Sequence, residues 1–134
     1  MSPIYPLATS SWDSKEHYAL QRVIKSDMFS MGPEVATFER QFAEYFGSNF
    51  AVMVNSGSSA NLLMTAALFF TKTPKLSRGD EIIVPAVSWS TTYYPLAQYG
   101  LHQKFVDIDA ATLNYDLDQL ALAITDRTRA IMVV

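Results

Sequence analysis

The chain alternates between segments with apolar residues at helical spacing and short segments that are apolar throughout. Residues 13–26 show the helical spacing, and Asp13 and Glu16 stand at the separation of a capping box. A second helix is predicted over residues 33–46, because it begins with a proline and is followed by Gly47, a natural residue to end it. The sequence therefore predicts two helices before its first strongly apolar run.

The rest of the chain predicts strands that alternate with helices. Apolar runs predict strands at 50–54, 81–84, 104–106 and 130–134. Helices are predicted from about 60 to 70, from 91 to 99 with Pro95 limiting the first turn, and from 116 to 124. This alternation is typical of a mainly parallel sheet between helices, so we expect a three-layer α/β fold. In such folds, ligands bind beyond the carboxyl ends of the strands.

The first candidate site follows the predicted strand 50–54 and consists of small polar residues, Asn55-Ser-Gly-Ser-Ser-Ala-Asn61. The first turn of a helix has unpaired N–H groups and a partial positive charge, and a glycine lets an anion approach them. The run therefore predicts a phosphate-binding turn. Neither a P-loop lysine nor a dinucleotide-binding glycine pattern is present, and a serine-capped tight turn explains the same residues equally well.

The second candidate site follows the predicted strand 81–84 and contains Trp89 among hydroxyl residues. An indole ring offers a flat face that can stack on a planar ligand. The alternative is a tryptophan buried beneath the loop, which is the commoner fate of this residue. A phosphate-binding turn at one strand end and a stacking face at the next would suit a planar phosphorylated cofactor.

Composition narrows the function classes. Of 134 residues, 49% are hydrophobic and 17% charged, and the net charge of −3 argues against a nucleic-acid or anionic-membrane binder. The chain has no cysteine and only two histidines, and no metal site is predicted. The sequence has no signal-peptide or membrane-spanning pattern, and we expect a cytoplasmic protein. The apolar residues 130–134 are interpreted as a buried strand of a larger sheet.

Four separated segments resemble the DegT-type sugar aminotransferase family of fold-type-I enzymes. They are 55–63 (NSGSSANLL), 79–85 (GDEIIVP), 88–95 (SWSTTYYP) and 105–109 (FVDID). The sequences of residues 86–94 and 5–12 are most similar to those of the sugar 3-dehydratases of that family. The resemblance covers nearly the whole chain but only about the N-terminal third of a family member. It implies an N-terminal helical segment, 1–47, followed by an incomplete part of the cofactor-binding large domain, 48–134.

The resemblance also names a cofactor, pyridoxal 5′-phosphate (PLP) or its amine form, pyridoxamine 5′-phosphate (PMP). It implies that Gly57 and Ser58 bind the cofactor phosphate and that Trp89 stacks on the pyridine ring. The catalytic acid–base residue, a lysine in the aminotransferases and a histidine in the dehydratases, would lie beyond residue 134. Asp107 and Asp109 match a family motif whose role is structural, and no catalytic role is expected for His17, His102 or Lys104.

The implied function is C3 dehydration of a nucleotide-linked 4-keto-6-deoxy sugar in deoxysugar biosynthesis, with glutamate as the amino donor and a homodimer as the assembly. Two alternatives stay open: an aminotransferase that converts the 4-keto group to an amine, and a fragment without catalytic function. Because the acid–base residue is missing, we expect the 134-residue chain alone to have no turnover.

Overall fold

A computed structural model describes residues 8–134. The chain divides into two compact units, Met1–Met53 and Val54–Val134. The domain boundary predicted between residues 47 and 48 concerns the organisation of a longer protein, and it stays a prediction.

The first unit contains two capped helices, α1 (Ser14–Ser26) and α2 (Pro33–Phe46). Asp13 accepts a hydrogen bond from the Lys15 N–H, and the Glu16 side chain accepts from the Asp13 N–H, so the predicted capping box is present. Gly47 ends α2 in the left-handed conformation, which glycine adopts without steric cost. Both predicted helices are confirmed.

The second unit contains three helices and three strands. In chain order they are α3 (Gly57–Phe70), β1 (Glu81–Pro85), α4 (Ser90–Gln98), β2 (His102–Val106), α5 (Leu117–Ala123) and β3 (Thr128–Ile131). The strands form a parallel sheet in the order β2-β1-β3, so the first strand along the chain lies in the centre. All five residues of β1 are buried, as expected for a strand covered on both faces.

Two apolar clusters lie on opposite faces of this sheet. On one face Ile82 and Val84 pack with Leu96 of α4, and Phe69 of α3 packs against the same cluster. On the other face Ile83 packs with Val106 and with Ala123 of α5. Alternate residues of β1 thus face different helices, which is the pleated period of a strand. The predicted three-layer parallel α/β arrangement is confirmed.

The strand predicted over residues 50–54 is wrong. No strand is assigned there, and β1, β2 and β3 pair only with one another in the described part of the chain. Phe50 is 86% exposed and Val52 67% exposed. A run of apolar residues becomes a strand only when its backbone N–H and C=O groups find a ladder partner, which composition does not guarantee.

The other differences concern where elements begin. Helix α3 begins at Gly57 rather than near residue 60, because Ser56 caps it. Pro95 lies inside α4, beyond the first turn, rather than limiting that turn. Strand β2 begins at His102, where it pairs with Glu81.

The last strand also differs from its prediction. β3 is Thr128–Ile131 rather than 130–134, and of the final five residues only Met132 is buried. The Met132 N–H still donates to the Ile83 carbonyl, at 2.9 Å. Val133 and Val134 are exposed, because no described element packs on them.

Candidate functional site

The first turn of α3 presents unpaired donors. The Ser56 hydroxyl accepts the Ser59 N–H at 3.2 Å, and the Ser56 carbonyl accepts the Ala60 N–H at 3.0 Å. Among residues 8–134, the N–H groups of Gly57 and Ser58 have no acceptor. They stand at the positive end of a 14-residue helix, where an anion is stabilised. Such a turn is suited to bind an anion, and phosphate binding by Gly57 and Ser58 stays a prediction.

The space beside Gly57 is open. A Cβ atom placed on Gly57 would meet no heavy atom within 4 Å, and the residue does not have a positive φ. Neither crowding nor backbone strain in this unit requires a glycine here. The open approach to two free N–H groups is the geometry that an incoming phosphate needs.

Trp89 is largely exposed to solvent at the start of α4. It is the N-cap residue of that helix, in an extended conformation, and its side chain is 77% exposed. The alternative of a tryptophan buried beneath the loop is wrong for this unit. An exposed indole at the carboxyl end of β1 is free to stack on a planar group.

Side chains hold the Trp89 loop on the sheet. The Ser88 and Thr92 hydroxyls share a hydrogen bond of 2.9 Å, and Thr92 is buried. The Tyr93 hydroxyl donates to the Pro85 carbonyl at 2.8 Å. The Tyr93 ring packs on that of Phe105, with centroids 5.4 Å apart. The loop therefore has a defined position relative to β1.

The two candidate segments meet through one hydrogen bond. Asn61 Nδ2, on α3, donates to the Thr91 carbonyl of α4 at 3.3 Å. A groove of about 200 Å³ lies between the two helices, lined by Ser58, Ser59, Leu62, Thr91, Tyr94, Pro95 and Gln98. The structure thus brings Ser58 to α4, while Gly57 and Trp89 lie outside the lining of the groove.

The carboxylates that the sequence assigned a structural role are used within their own loop. Asp109 accepts hydrogen bonds from the Ala111 and Thr112 N–H groups, at 2.8 and 2.9 Å. These bonds, the one from Thr112 foremost, lower the pKa of the Asp109 carboxyl. Asp107 accepts from the Ile108 N–H at 2.8 Å. Both carboxylates shape the turn that leads to α5.

The side chains of His17 and Lys104 also have hydrogen-bond partners. His17 Nδ1 lies 2.6 Å from the Asp13 carbonyl within α1. Lys104 Nζ donates to the Ala123 carbonyl at 2.7 Å, which ties β2 to the end of α5. In the described range 8–134, no group of three or more His, Asp or Glu side chains could hold a metal ion. Within the same range no helix has the length and hydropathy to span a bilayer.

Sequence reasoning missed the contribution of Asn61 and Thr91. A signal for it was present, because a proline inside a helix leaves the carbonyl four residues earlier without its N–H partner. Which side chain would reach that carbonyl depends on how α3 and α4 pack, and the sequence does not reveal this.

Comparison with known proteins identifies the class. Residues 10–134 match the model of the DegT/DnrJ/EryC1/StrS aminotransferase family. The match covers well over half of the chain, and the protein belongs to this family.

Individual relatives are more specific. The chain is 66% identical over 130 residues to GDP-4-keto-6-deoxy-D-mannose 3-dehydratase of Yersinia pseudotuberculosis, covering 97% of this chain and 33% of the relative. It is 35% identical to dTDP-4-dehydro-2,3,6-trideoxy-D-glucose 4-aminotransferase of Saccharopolyspora spinosa, over 90% of this chain and 30% of that protein.

A solved structure gives the same result. The structure of the E. coli GDP-4-keto-6-deoxy-D-mannose 3-dehydratase with bound hydrated PLP superimposes with a TM-score of 0.91 at 65% identity. The alignment covers 96% of this chain and 33% of that one. The chain therefore spans about a third of the length of the relatives that it matches.

Proposed function

We propose that this chain is the N-terminal part of a PLP- or PMP-dependent enzyme that removes the C3 hydroxyl group from a nucleotide-linked 4-keto-6-deoxy sugar. One observation carries the proposal: α3, which begins with the free N–H groups of Gly57 and Ser58, is hydrogen-bonded one turn later to α4, whose N-cap residue is an exposed tryptophan. A phosphate site and a stacking face are thereby joined at one edge of a parallel sheet, which suits a planar phosphorylated cofactor.

The residues present fit such a cofactor. The N–H groups of Gly57 and Ser58, with the Ser58 hydroxyl, would bind its phosphate, and Trp89 would orient its ring. When bound, the cofactor supplies an electron sink that makes removal of a proton from the sugar adduct possible. The chain's own contribution is to position the reacting group. No side chain of this chain is assigned the proton transfer, and the 134-residue polypeptide alone should have no turnover.

Two further elements of the proposal concern partners. Glutamate would restore the amine form of the cofactor, and the enzyme would act as a homodimer in the cytoplasm. The exposed apolar residues of α1 and α2, among them Ile24, Phe38 and Phe42, make these helices candidates for the subunit contact.

A second candidate function is amination of the 4-keto group. The 35% identity to a sugar 4-aminotransferase favours keeping it. The two reactions differ in product, because one gives a 3-deoxy keto sugar and the other a 4-amino sugar. Incubating the full-length protein with GDP-4-keto-6-deoxymannose, glutamate and PLP, and identifying the product by mass spectrometry, separates them.

The cofactor site is tested by a double substitution in the full-length protein. Trp89→Ala with Ser58→Ala removes the stacking face and one hydroxyl donor. Loss of a stacking contact and of a hydrogen bond to a charged group should weaken PLP binding by roughly 100-fold, measured by the absorbance of the bound cofactor.

Trp12→Ala is the matched control, because Trp12 is also an exposed tryptophan but belongs to the first unit. It should leave PLP binding unchanged. Equal affinity of the wild type and the double variant would contradict the assigned site. Failure of the wild-type protein to bind PLP at all would favour a non-catalytic α/β fragment.

A further inference from the structure

The carbonyl group of Thr91 has an unusual partner. In a regular helix it would accept the N–H of residue 95, but residue 95 is proline and has no N–H to donate. Asn61 Nδ2, from the neighbouring helix α3, donates to this carbonyl at 3.3 Å. The bond that Pro95 removes from α4 is thus replaced by a bond between α4 and α3.

Helix α4 needs such support. It has nine residues, and its N-cap residue, Trp89, makes no side-chain capping bond. Helices this short are marginal on their own, and an internal proline weakens them further. The position of Trp89 therefore depends on bonds from outside the helix. Asn61 supplies the hydrogen bond to α4 that comes from α3.

We propose that Asn61 is a positioning residue, which fixes the distance between the phosphate-binding turn of α3 and the ring-stacking Trp89. This inference rests on the proposed function. A cofactor has a fixed separation between its phosphate and its ring, so both groups of the protein must be held at that separation to bind it. Asn61 lies one turn beyond Gly57 and Ser58 on α3, and its partner lies in the first turn of α4 beside Trp89.

The test replaces the amide by an apolar side chain of similar size, Asn61→Leu, in the full-length protein. Loss of this partly buried hydrogen bond should weaken PLP binding about three- to tenfold. The circular dichroism of the bound cofactor should also change, because the ring no longer lies at a fixed angle. The dissociation constant of inorganic phosphate, measured by its competition with PLP, should stay the same, since the phosphate-binding turn is untouched.

A second substitution makes the test specific. Pro95→Ala restores an N–H group at residue 95, and this group can donate to the Thr91 carbonyl within α4. The effect of Asn61→Leu should therefore be smaller when Pro95→Ala is also present. A double-mutant cycle over the four proteins measures this coupling. Additive effects would overturn the proposal.

Thr65→Val is the matched control on α3. The Thr65 hydroxyl donates to the Asn61 carbonyl within the same helix at 2.8 Å, so its loss disturbs α3 without breaking the bond to α4. This variant should keep the cofactor's circular dichroism. If Thr65→Val changes the spectrum as much as Asn61→Leu does, general damage to α3 explains both and the proposal fails.

A readout without cofactor completes the experiment. In a Trp12→Phe background Trp89 is the one tryptophan of this chain, because the sequence has two. In a full-length protein with any further tryptophans replaced, Asn61→Leu should lower the fluorescence anisotropy of Trp89. Unchanged anisotropy and unchanged PLP binding would overturn the positioning role alone. A wild-type protein that does not bind PLP would overturn the proposed function and, with it, this inference.

Discussion

The two edges of the three-stranded sheet use their polar groups in opposite ways. At the amino edge, Glu81 of β1 is 4% exposed, and its carboxylate accepts from the Thr128 and Thr125 hydroxyls at 2.7 and 3.1 Å. Arg127 lies 3.6 Å from the same carboxylate. These partners, the Thr128 hydroxyl foremost, lower the pKa of Glu81 although its burial acts in the other direction. The charge is paired within the fold.

At the carboxyl edge, two backbone donors lack partners among residues 8–134. Gly57 and Ser58 present free N–H groups, and Trp89 is 77% exposed. A cleft of about 490 Å³ lies at the amino edge, whereas the groove between α3 and α4 measures about 200 Å³. Size alone would select the amino edge, whereas the proposed cofactor site lies at the carboxyl edge. The first N–H groups of a helix lack partners within the helix and can bind an anion, and the proposed site is at the edge that has them.

The largest effect that separates the two edges is expected from Gly57→Asp. A carboxylate at the start of α3 stabilises the helix by about 0.3–1 kcal/mol. The same charge would repel the cofactor phosphate and should weaken PLP binding tenfold or more, since even at about 5 Å in water two such charges repel measurably. Thermal unfolding and a PLP titration of the full-length protein measure the two opposite effects.

Gly57→Ala is the control for bulk without charge. Its Cβ meets no atom within 4 Å, so folding and binding should change little. If alanine weakens PLP binding as much as aspartate does, the effect comes from filling the space beside residue 57 and not from the carboxylate charge. The electrostatic argument would then be wrong.

A smaller effect, on stability alone, is expected at the amino edge from Glu81→Gln. Because the folded protein lowers the pKa of Glu81, its stabilisation is present above the ordinary carboxyl pKa and is lost as the pH falls through the lowered value. The Gln variant should melt several degrees lower at neutral pH, and the difference should close in acid. The PLP affinity of the variant should stay within about twofold of the wild-type value, since the described groups at the two edges share no hydrogen-bond or ion-pair partner. A constant difference in melting temperature across this pH range would contradict the charge argument.

The smallest effect is expected from Tyr115→Phe. The Tyr115 hydroxyl donates to the Met132 carbonyl at 2.7 Å, and its loss should lower the free energy of unfolding by about 1 kcal/mol. Burial, with a smaller contribution from Tyr93, raises the pKa of Tyr115 to about 12. Its stabilisation is therefore complete below the ordinary tyrosine pKa, about 10, and is lost as the pH rises through about 12.

Denaturant unfolding of wild type and the Phe variant at neutral and alkaline pH checks this prediction. The two curves should converge as the pH rises. Divergence would mean that the hydroxyl contributes through something other than its protonated donor.

The sequence predicted the features that depend on neighbours along the chain. It predicted the capping box of Asp13 and Glu16 and the end of α2 at Gly47, because the hydrogen bonds that form them join residues a few positions apart. The strand predicted at 50–54 is wrong because strand pairing depends on residues distant along the chain. Its composition favours a strand, but pairing depends on a partner that local sequence does not name.

The features of the candidate site also fall into those set by neighbours along the chain and those set by packing. Sequence alone determined the parallel α/β class and the presence of an aromatic residue after β1, and it predicted a phosphate-binding role for residues 55–61. Only the tertiary structure decided that Trp89 is exposed, that the N–H groups of Gly57 and Ser58 are unpaired, and that Asn61 reaches the Thr91 carbonyl. Exposure and hydrogen-bond partnership depend on residues thirty positions apart in this case, and only packing brings such residues together.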